Sequence, residues 1–242
     1  MARNKIHKKS TNTYEIERLD PRDTPWFGKK LVSEHLERYK LAERYCKDKT
    51  VIDLGCGTGY GSKLIANKGA IKVYSFDIDP NAINYAKNNY PDDKVIYTTS
   101  NADNTKLPDN FADIVLNFEV IEHLKNPEKL IAEIYRILKP GGVCIISTPN
   151  RLTSFSDNPY HIKEFTLNEL SSKLRMYSRL EFYGQRKVNL NIVKFYQLIH
   201  KTIPLKKFKF FLKLRPWENY KIEKLKNKTI PPYLYLIIVA KK

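Results

Sequence analysis

Residues 51–62, "VIDLGCGTGYGS", hold four of the nine glycines of this 242-residue chain, directly after three branched or apolar residues and one acid. Glycine loses more backbone entropy on folding than any other residue, so such a cluster marks a tight turn, positive φ angles or something lying against the backbone. It reads as a ligand loop at the end of a strand, and the sequence up to residue 150 supplies the setting. "TVIDLG" is a strand, "GYGSKLIANKG" a helix closed by Gly69, and "KVYSFDID" a second strand. "NAINYAKNNY" follows as a helix begun after Pro80, then "DKVIYTTSN" and "ADIVLNFEV" as strands, "PEKLIAEIYRILKPGG" as a helix and "VCIISTPN" as a strand. Nearly continuous apolar strands separated by helices predict a parallel sheet covered on both faces. The fold class is therefore α/β, doubly wound, with the glycine loop at the carboxyl edge where such sheets bind ligands.

After residue 150 the texture changes. "TLNELSSKLRMY" predicts a helix, "RLEFYGQRKV" a strand, "NIVKFYQLIHKTI" a helix and "PPYLYLIIVAKK" a last strand, the two strands extending the sheet as an antiparallel hairpin. No internal repeat or low-complexity linker divides the chain. The expected organisation is one domain, with a helical lead over 1–48, a cofactor-binding core over 49–188, a basic aromatic helical insert over 189–230 and a final strand over 231–242.

Cys46, Cys56 and Cys144 are odd in number and lack metal-ligand spacing, which argues against a disulfide framework or zinc site and for a reduced, cytoplasmic compartment. No segment approaches the roughly 18–20 apolar residues of a membrane-spanning helix. Charge is unevenly placed: 23 Lys and Arg against 20 Asp and Glu up to residue 150, then 20 against 6. That asymmetry points the C-terminal part toward an anionic partner, or else forms a solvated lysine-rich surface. Residues 204–229 interleave lysines with Phe208, Phe210, Phe211 and Trp217. Three readings stand for this stretch: an anionic membrane surface, single-stranded nucleic acid, or aromatics packed on the sheet with lysines snorkelling outward.

Two ligand classes compete for the loop. A dinucleotide calls for GxGxxG, whereas Gly55, Gly57, Gly59 and Gly61 follow Asp53 with GxGxG spacing. Here the chain resembles the class I S-adenosylmethionine-dependent methyltransferases, through "VIDLGCGTGYGS", "SFDID" and "LPDNFADIVLNFEVIEHLKNPEKLIAEIYRILKPGGVCIISTPNR". The resemblance implies a mostly parallel seven-stranded sheet and an S-adenosylmethionine site. It sets Gly55, Gly57 and Gly59, with Asp53 before them, under the methionine part of the cofactor, and Asp77 on the ribose hydroxyls. Ile78 and Phe118 join that set, and "SNAD" meets the adenine: a side chain at Asn101 or Asp103 takes the exocyclic amine and the Ala102 backbone a ring nitrogen. Carboxylates suit this cofactor, whose ribose hydroxyls are free donors and which has no phosphate to cradle. "EHLERYKLAERYCKDK" is similar to a feature of enzymes linked to surface-polysaccharide or glycolipid synthesis, in which His35, Arg38 and Tyr39 lie over the cofactor and Arg38 pairs its carboxylate. The alternative for that stretch is a helix with "EH" and "ER" pairs on a solvated face.

For a hydroxyl acceptor the protein must also help remove a proton. "FEVIEH" brings Glu119, Glu122 and His123 to the end of the fourth strand, and "NPYHIKEF" adds His161 and Glu164 after the fifth. Glu119, Glu122, His123 and His161 together are a candidate Mg²⁺ or Mn²⁺ site, similar to that of ubiquinone-pathway O-methyltransferases and small-RNA terminal 2′-O-methyltransferases. Without metal, His161 is the candidate general base, with His123 and Glu119 beside it. The expected activity is O-methylation of a sugar, a lipid-linked glycan or another small-molecule hydroxyl. An RNA 2′-hydroxyl, a cofactor-binding scaffold without catalysis and a nicotinamide-dependent oxidoreductase are the competing classes.

Overall fold

The computed structural model describes residues 19–22, 29–154, 158–189, 191, 193, 221–225 and 233–242. Helix α1 (Lys29–Cys46) precedes β1 (Thr50–Leu54), α2 (Tyr60–Asn67), β2 (Lys72–Asp77), α3 (Pro80–Asn89) and β3 (Val95–Thr99). Then come β4 (Ala112–Phe118), a 3₁₀ turn at Ile121–His123, α4 (Pro127–Ile137), β5 (Leu138–Pro149), α5 (Leu167–Lys173), β6 (Arg179–Lys187), β7 (Ile222–Lys224) and β8 (Tyr233–Lys241).

The strands form one sheet in the order β3-β2-β1-β4-β5-β8-β6-β7, the first five parallel and β8, β6 and β7 antiparallel. The chain winds outward from β1 in one direction to β2 and β3, and in the other, from β4, to β5. The loops after β1 and β4 therefore diverge and open a crevice at the carboxyl edge. Alternation along β1 shows why the sheet is buried on both faces: Val51 joins the cluster under α1 and α2, while Ile52 and Leu54 join the cluster under α4. Helix α4 contributes Leu130, Ile131, Ile134 and Ile137, an apolar stripe at helical spacing, each side chain gaining about 1.5–3 kcal/mol from burial. Its start is fixed by Pro127 and by the Asn126 side chain, which accepts the Lys129 N–H.

Three expectations need correction. The sheet has eight strands rather than seven, because Ile222–Lys224, inside the stretch expected to be a helical insert, pairs with β6 instead. The helix expected to run through "LKPGG" ends at Ile137; Pro140 disfavours helix in the residue before it, Gly141 takes φ 77°, and Leu138 already pairs with Ala112. The solvated-face reading of "EHLERY" also fails, since Glu34, Arg38 and Tyr39 are buried. The basic aromatic stretch 204–229, His7, His200 and the helix expected from "NIVKFYQLIHKTI", apart from Asn191 and Val193, lie outside the described residues. Among the described residues, no helix is long and apolar enough to cross a membrane.

Candidate active site

The glycine loop closes the carboxyl end of β1. The Gly55 and Cys56 N–H groups both donate to the Phe76 carbonyl, at 2.8 and 2.9 Å, tying the loop to the tip of β2. Its glycines serve two purposes. Gly57 has φ 53° and nothing within 4 Å of where a Cβ would stand, so the backbone there faces open space, as a ligand cradle does. Gly61, in the first turn of α2, would put a Cβ 1.9–2.4 Å from ring atoms of Tyr39, so this glycine lets α1 approach α2.

Asp77, at the tip of β2, accepts the Gly57 N–H at 2.9 Å and the Asp79 N–H at 3.0 Å, which holds its carboxylate beside the loop. Ile78 next to it is 71% exposed, an apolar side chain presented to solvent at the same edge. Asn101, Ala102 and Asp103 form the turn after β3, anchored where Ser100 N–H donates to the Asp77 carbonyl at 3.0 Å. The structure thus brings Gly57, Asp77, Ile78 and the turn at 101–103 to one side of the crevice.

Asp53 and Phe118 are placed differently from the expectation that they meet the cofactor. Strand alternation turns both side chains into the cluster under α1, beneath the loop. Asp53 accepts from Ser62 Oγ at 2.6 Å and from the Tyr39 hydroxyl at 3.2 and 3.4 Å, and burial pushes its carboxyl up to about 6. Phe118 is buried with its ring edge-on to Tyr39, centroids 5.0 Å apart. Asp53 therefore fastens α1 and α2 to the end of β1.

On the other side stands Arg38, fully buried. Its Nε–H donates to Gln185 Oε1 at 2.9 Å and its guanidinium lies over the Tyr235 ring at 4.2 Å. Both terminal nitrogens lack a hydrogen-bond partner, although the Glu119 carboxylate sits 3.6 Å from one of them. Glu119 has φ 55°, rare for a residue with a side chain and costing about 1–3 kcal/mol, and accepts Ser147 Oγ at 2.8 Å. His35 occupies the same helix, half-buried.

The 3₁₀ turn after β4 carries Glu122 and His123. Glu122 is fully buried, accepts Thr148 Oγ1 at 3.1 Å through one oxygen and leaves Oε1 without a hydrogen-bond partner; burial and the Glu119 charge push its carboxyl well above the usual range. Its backbone carbonyl accepts Ile162 and Lys163 N–H at 2.8 and 3.1 Å, which draws the loop after β5 inward. That loop delivers His161, whose Nδ1 lies 2.8 Å from Glu164 Oε1 and whose ring is edge-on to that of His123 at 5.0 Å. The His123 Nδ1 is 3.1 Å from the Tyr160 carbonyl. One ligand atom from each of Glu122, His123 and His161 falls within 4.8 Å of the other two. Glu119, expected as a fourth member, is not in this group; its carboxylate is turned toward Arg38 and Ser147.

A doubly wound sheet with a glycine loop after its first strand and an acid at the tip of the second sets a ligand crevice at the carboxyl edge. Residues 52–146 match the family model described as "Methyltransferase domain". A protein of Mycolicibacterium smegmatis named "Probable S-adenosylmethionine-dependent methyltransferase" is 40% identical over 141 residues, 56% of this chain and 53% of that protein. A mitochondrial ubiquinone biosynthesis O-methyltransferase of Schizosaccharomyces pombe is 34% identical over 115 residues, 45% of this chain and 41% of that one. The chain spans about half the length, or less, of these curated relatives. A crystal structure of a methyltransferase dependent on S-adenosylmethionine from Archaeoglobus fulgidus superposes with TM-score 0.63 at 20% identity, covering 96% of this chain and 100% of that one, a likeness of fold.

Proposed function

We propose that the chain binds S-adenosylmethionine in the crevice and moves its methyl group to a hydroxyl of a sugar, a lipid-linked glycan or another small molecule. The observation that carries this reading is the convergence of Glu122, His123 and His161 just past the end of β4, within the same carboxyl edge as the glycine loop. Methyl transfer is an in-line displacement, so the protein must align the acceptor oxygen, exclude water and take its proton. The name of the Schizosaccharomyces pombe relative supports oxygen as the acceptor atom.

The residues fit the cofactor. Both terminal nitrogens of the buried Arg38 guanidinium lack a hydrogen bond, a costly state that a carboxylate would relieve, so Arg38 is the residue that would hold the cofactor's carboxylate. Asp77 accepts the ribose hydroxyls, Gly55, Gly57 and Gly59 present backbone to the methionine part, and Ile78 lies against the adenine. The turn at 101–103 takes the adenine amine through Asn101 or Asp103 and a ring nitrogen through the Ala102 backbone. When bound, S-adenosylmethionine supplies an electrophilic methyl on a cationic sulfur.

His161 holds the acceptor's proton. With its Nδ1–H donated to Glu164, its Nε2 is the basic nitrogen. Glu122, His123 and His161 also form a donor set for a divalent ion: Glu122 Oε1 is buried without a hydrogen-bond partner and two imidazoles stand beside it. Two nitrogens and one carboxylate suit Mn²⁺ better than Mg²⁺, which prefers an all-oxygen shell. An ion held there lowers the pKa of a coordinated hydroxyl. Chelation separates the two versions: a metal-assisted enzyme loses activity with chelator, regains it with Mn²⁺, and as Glu122→Gln shows no Mn²⁺ stimulation. Activity indifferent to chelator leaves His161 as a base without metal.

The acceptor is tested by adding methyl-labelled S-adenosylmethionine to an extract of the source cell with this protein, then separating organic-soluble lipid, RNase-sensitive and water-soluble glycan fractions. Label in the lipid or glycan fraction is the expected result. RNase-sensitive label makes an RNA 2′-hydroxyl the acceptor, and tight cofactor binding without label makes the protein a scaffold.

A further inference from the structure

Arg38 is held from the far end of the sheet. Helix α1 carries Glu34 and Arg38 one turn apart, both buried, and β6 and β8 meet them from the C-terminal part of the chain. In the antiparallel ladder Gln185 of β6 pairs directly with Tyr235 of β8, so both side chains stand on one face. Gln185 Oε1 accepts the Arg38 Nε–H at 2.9 Å, Tyr235 lies under the guanidinium at 4.2 Å, and Gln185 Nε2 donates to the Glu34 carbonyl at 2.9 Å. That last bond fixes which end of the amide is oxygen, since each end has a partner of the right kind. With Nε bonded and the guanidinium carbon held over the Tyr235 ring, the fork of terminal nitrogens is restrained, and both nitrogens are buried without a hydrogen bond.

We infer that Gln185 is a positioning residue for the cofactor's carboxylate, acting through Arg38, and so sets the preference for ligands that carry an amino-acid tail over those that lack one. The inference rests on the assignment of Arg38 to the cofactor's carboxylate proposed above. It gives the antiparallel extension, remote in sequence from the glycine loop by more than a hundred residues, a part in cofactor selection.

The test compares two probes on the full chain by calorimetry: S-adenosylhomocysteine, which has the amino-acid tail, and 5′-methylthioadenosine, which has the nucleoside and a thioether but no tail. The wild type is expected to bind S-adenosylhomocysteine at least tenfold more tightly. Gln185→Leu releases the Nε bond, whereas Gln185→Glu conserves volume and the acceptor and loses only the donation to the Glu34 carbonyl. In folded Gln185→Leu the tenfold preference should vanish while affinity for 5′-methylthioadenosine stays within about twofold, and Gln185→Glu, which keeps the acceptor, should retain more of the preference than Gln185→Leu. A preference retained in folded Gln185→Leu, which lacks the acceptor, overturns the inference, and so does a parallel loss of affinity for both probes, which marks Gln185 as structural. A wild type that binds both probes equally overturns the Arg38 assignment itself, and with it this inference.

Discussion

Asp53 is a carboxyl sealed from water, bonded only from inside the fold by Ser62 and Tyr39. Burial raises its folded pKa from 3.8 to about 6, with the two hydrogen bonds opposing the rise. Between those values the folded chain holds a proton that the unfolded chain has released, so this group's contribution to stability falls as pH rises through the window and is level above it. The difference amounts to about 3 kcal/mol at most, at 1.36 kcal/mol per unit. Asp53→Asn removes that dependence. Urea unfolding of the two proteins at several pH values should show the wild type losing stability relative to Asp53→Asn between pH 4 and 6, and parallel curves would contradict the buried charge. The buried acid also shows where reading residues singly reaches its limit. "VIDLG" announces a strand leading into a turn, but which acid of the pair Asp53 and Asp77 faces the crevice depends on which face of the sheet α1 covers.

At the scale of elements, the contact of α1 with α2 rests on the absence of one side chain. Gly61→Ala would drive a methyl into the Tyr39 ring, which is itself wedged between Tyr60 and Phe118, and overpacking of this kind costs about 1–3 kcal/mol or more. The variant should unfold at a clearly lower urea concentration with an unchanged slope; an unchanged midpoint would mean that α1 docks more loosely than described. The strands and helices from Thr50 to Pro149 are legible because period-2 and period-3.6 patterns and the Gly and Pro punctuation agree. The overrun of α4 into "LKPGG" came from reading apolar periodicity past Leu138, where pairing with Ala112 takes over. Ile222–Lys224 carries no strand signature of its own; three residues become a strand because the edge of β6 is there to pair with. The Arg38 to Gln185 bond spans 147 residues, and no local pattern announces it.

For the molecule as a whole, two faces of one sheet bury separate apolar clusters, and that rigid platform fixes the positions of loops far apart in sequence. The tips of β1, β2, β3 and β4 lie on one edge because all four strands run parallel, and the loop after β5 folds back over that edge through the Glu122 carbonyl. The residues proposed to hold the cofactor stand out in the sequence because they cluster in short motifs at strand ends. The grouping of Glu122, His123 and His161 without Glu119 was not readable from residue types, since the separation of Glu119 is set by a left-handed backbone there and by Arg38. We propose that this edge holds S-adenosylmethionine with Asp77 on its ribose. Calorimetric titration of S-adenosylhomocysteine into the wild type and Asp77→Ala tests it most directly. One site per chain is expected in the wild type and affinity lost by a factor of about 100 or more in Asp77→Ala, roughly two charge-assisted hydrogen bonds, with both free proteins still unfolding cooperatively and Asp77→Ala melting somewhat lower for want of the Gly57 and Asp79 N–H bonds. Equal affinity in the two proteins would contradict it.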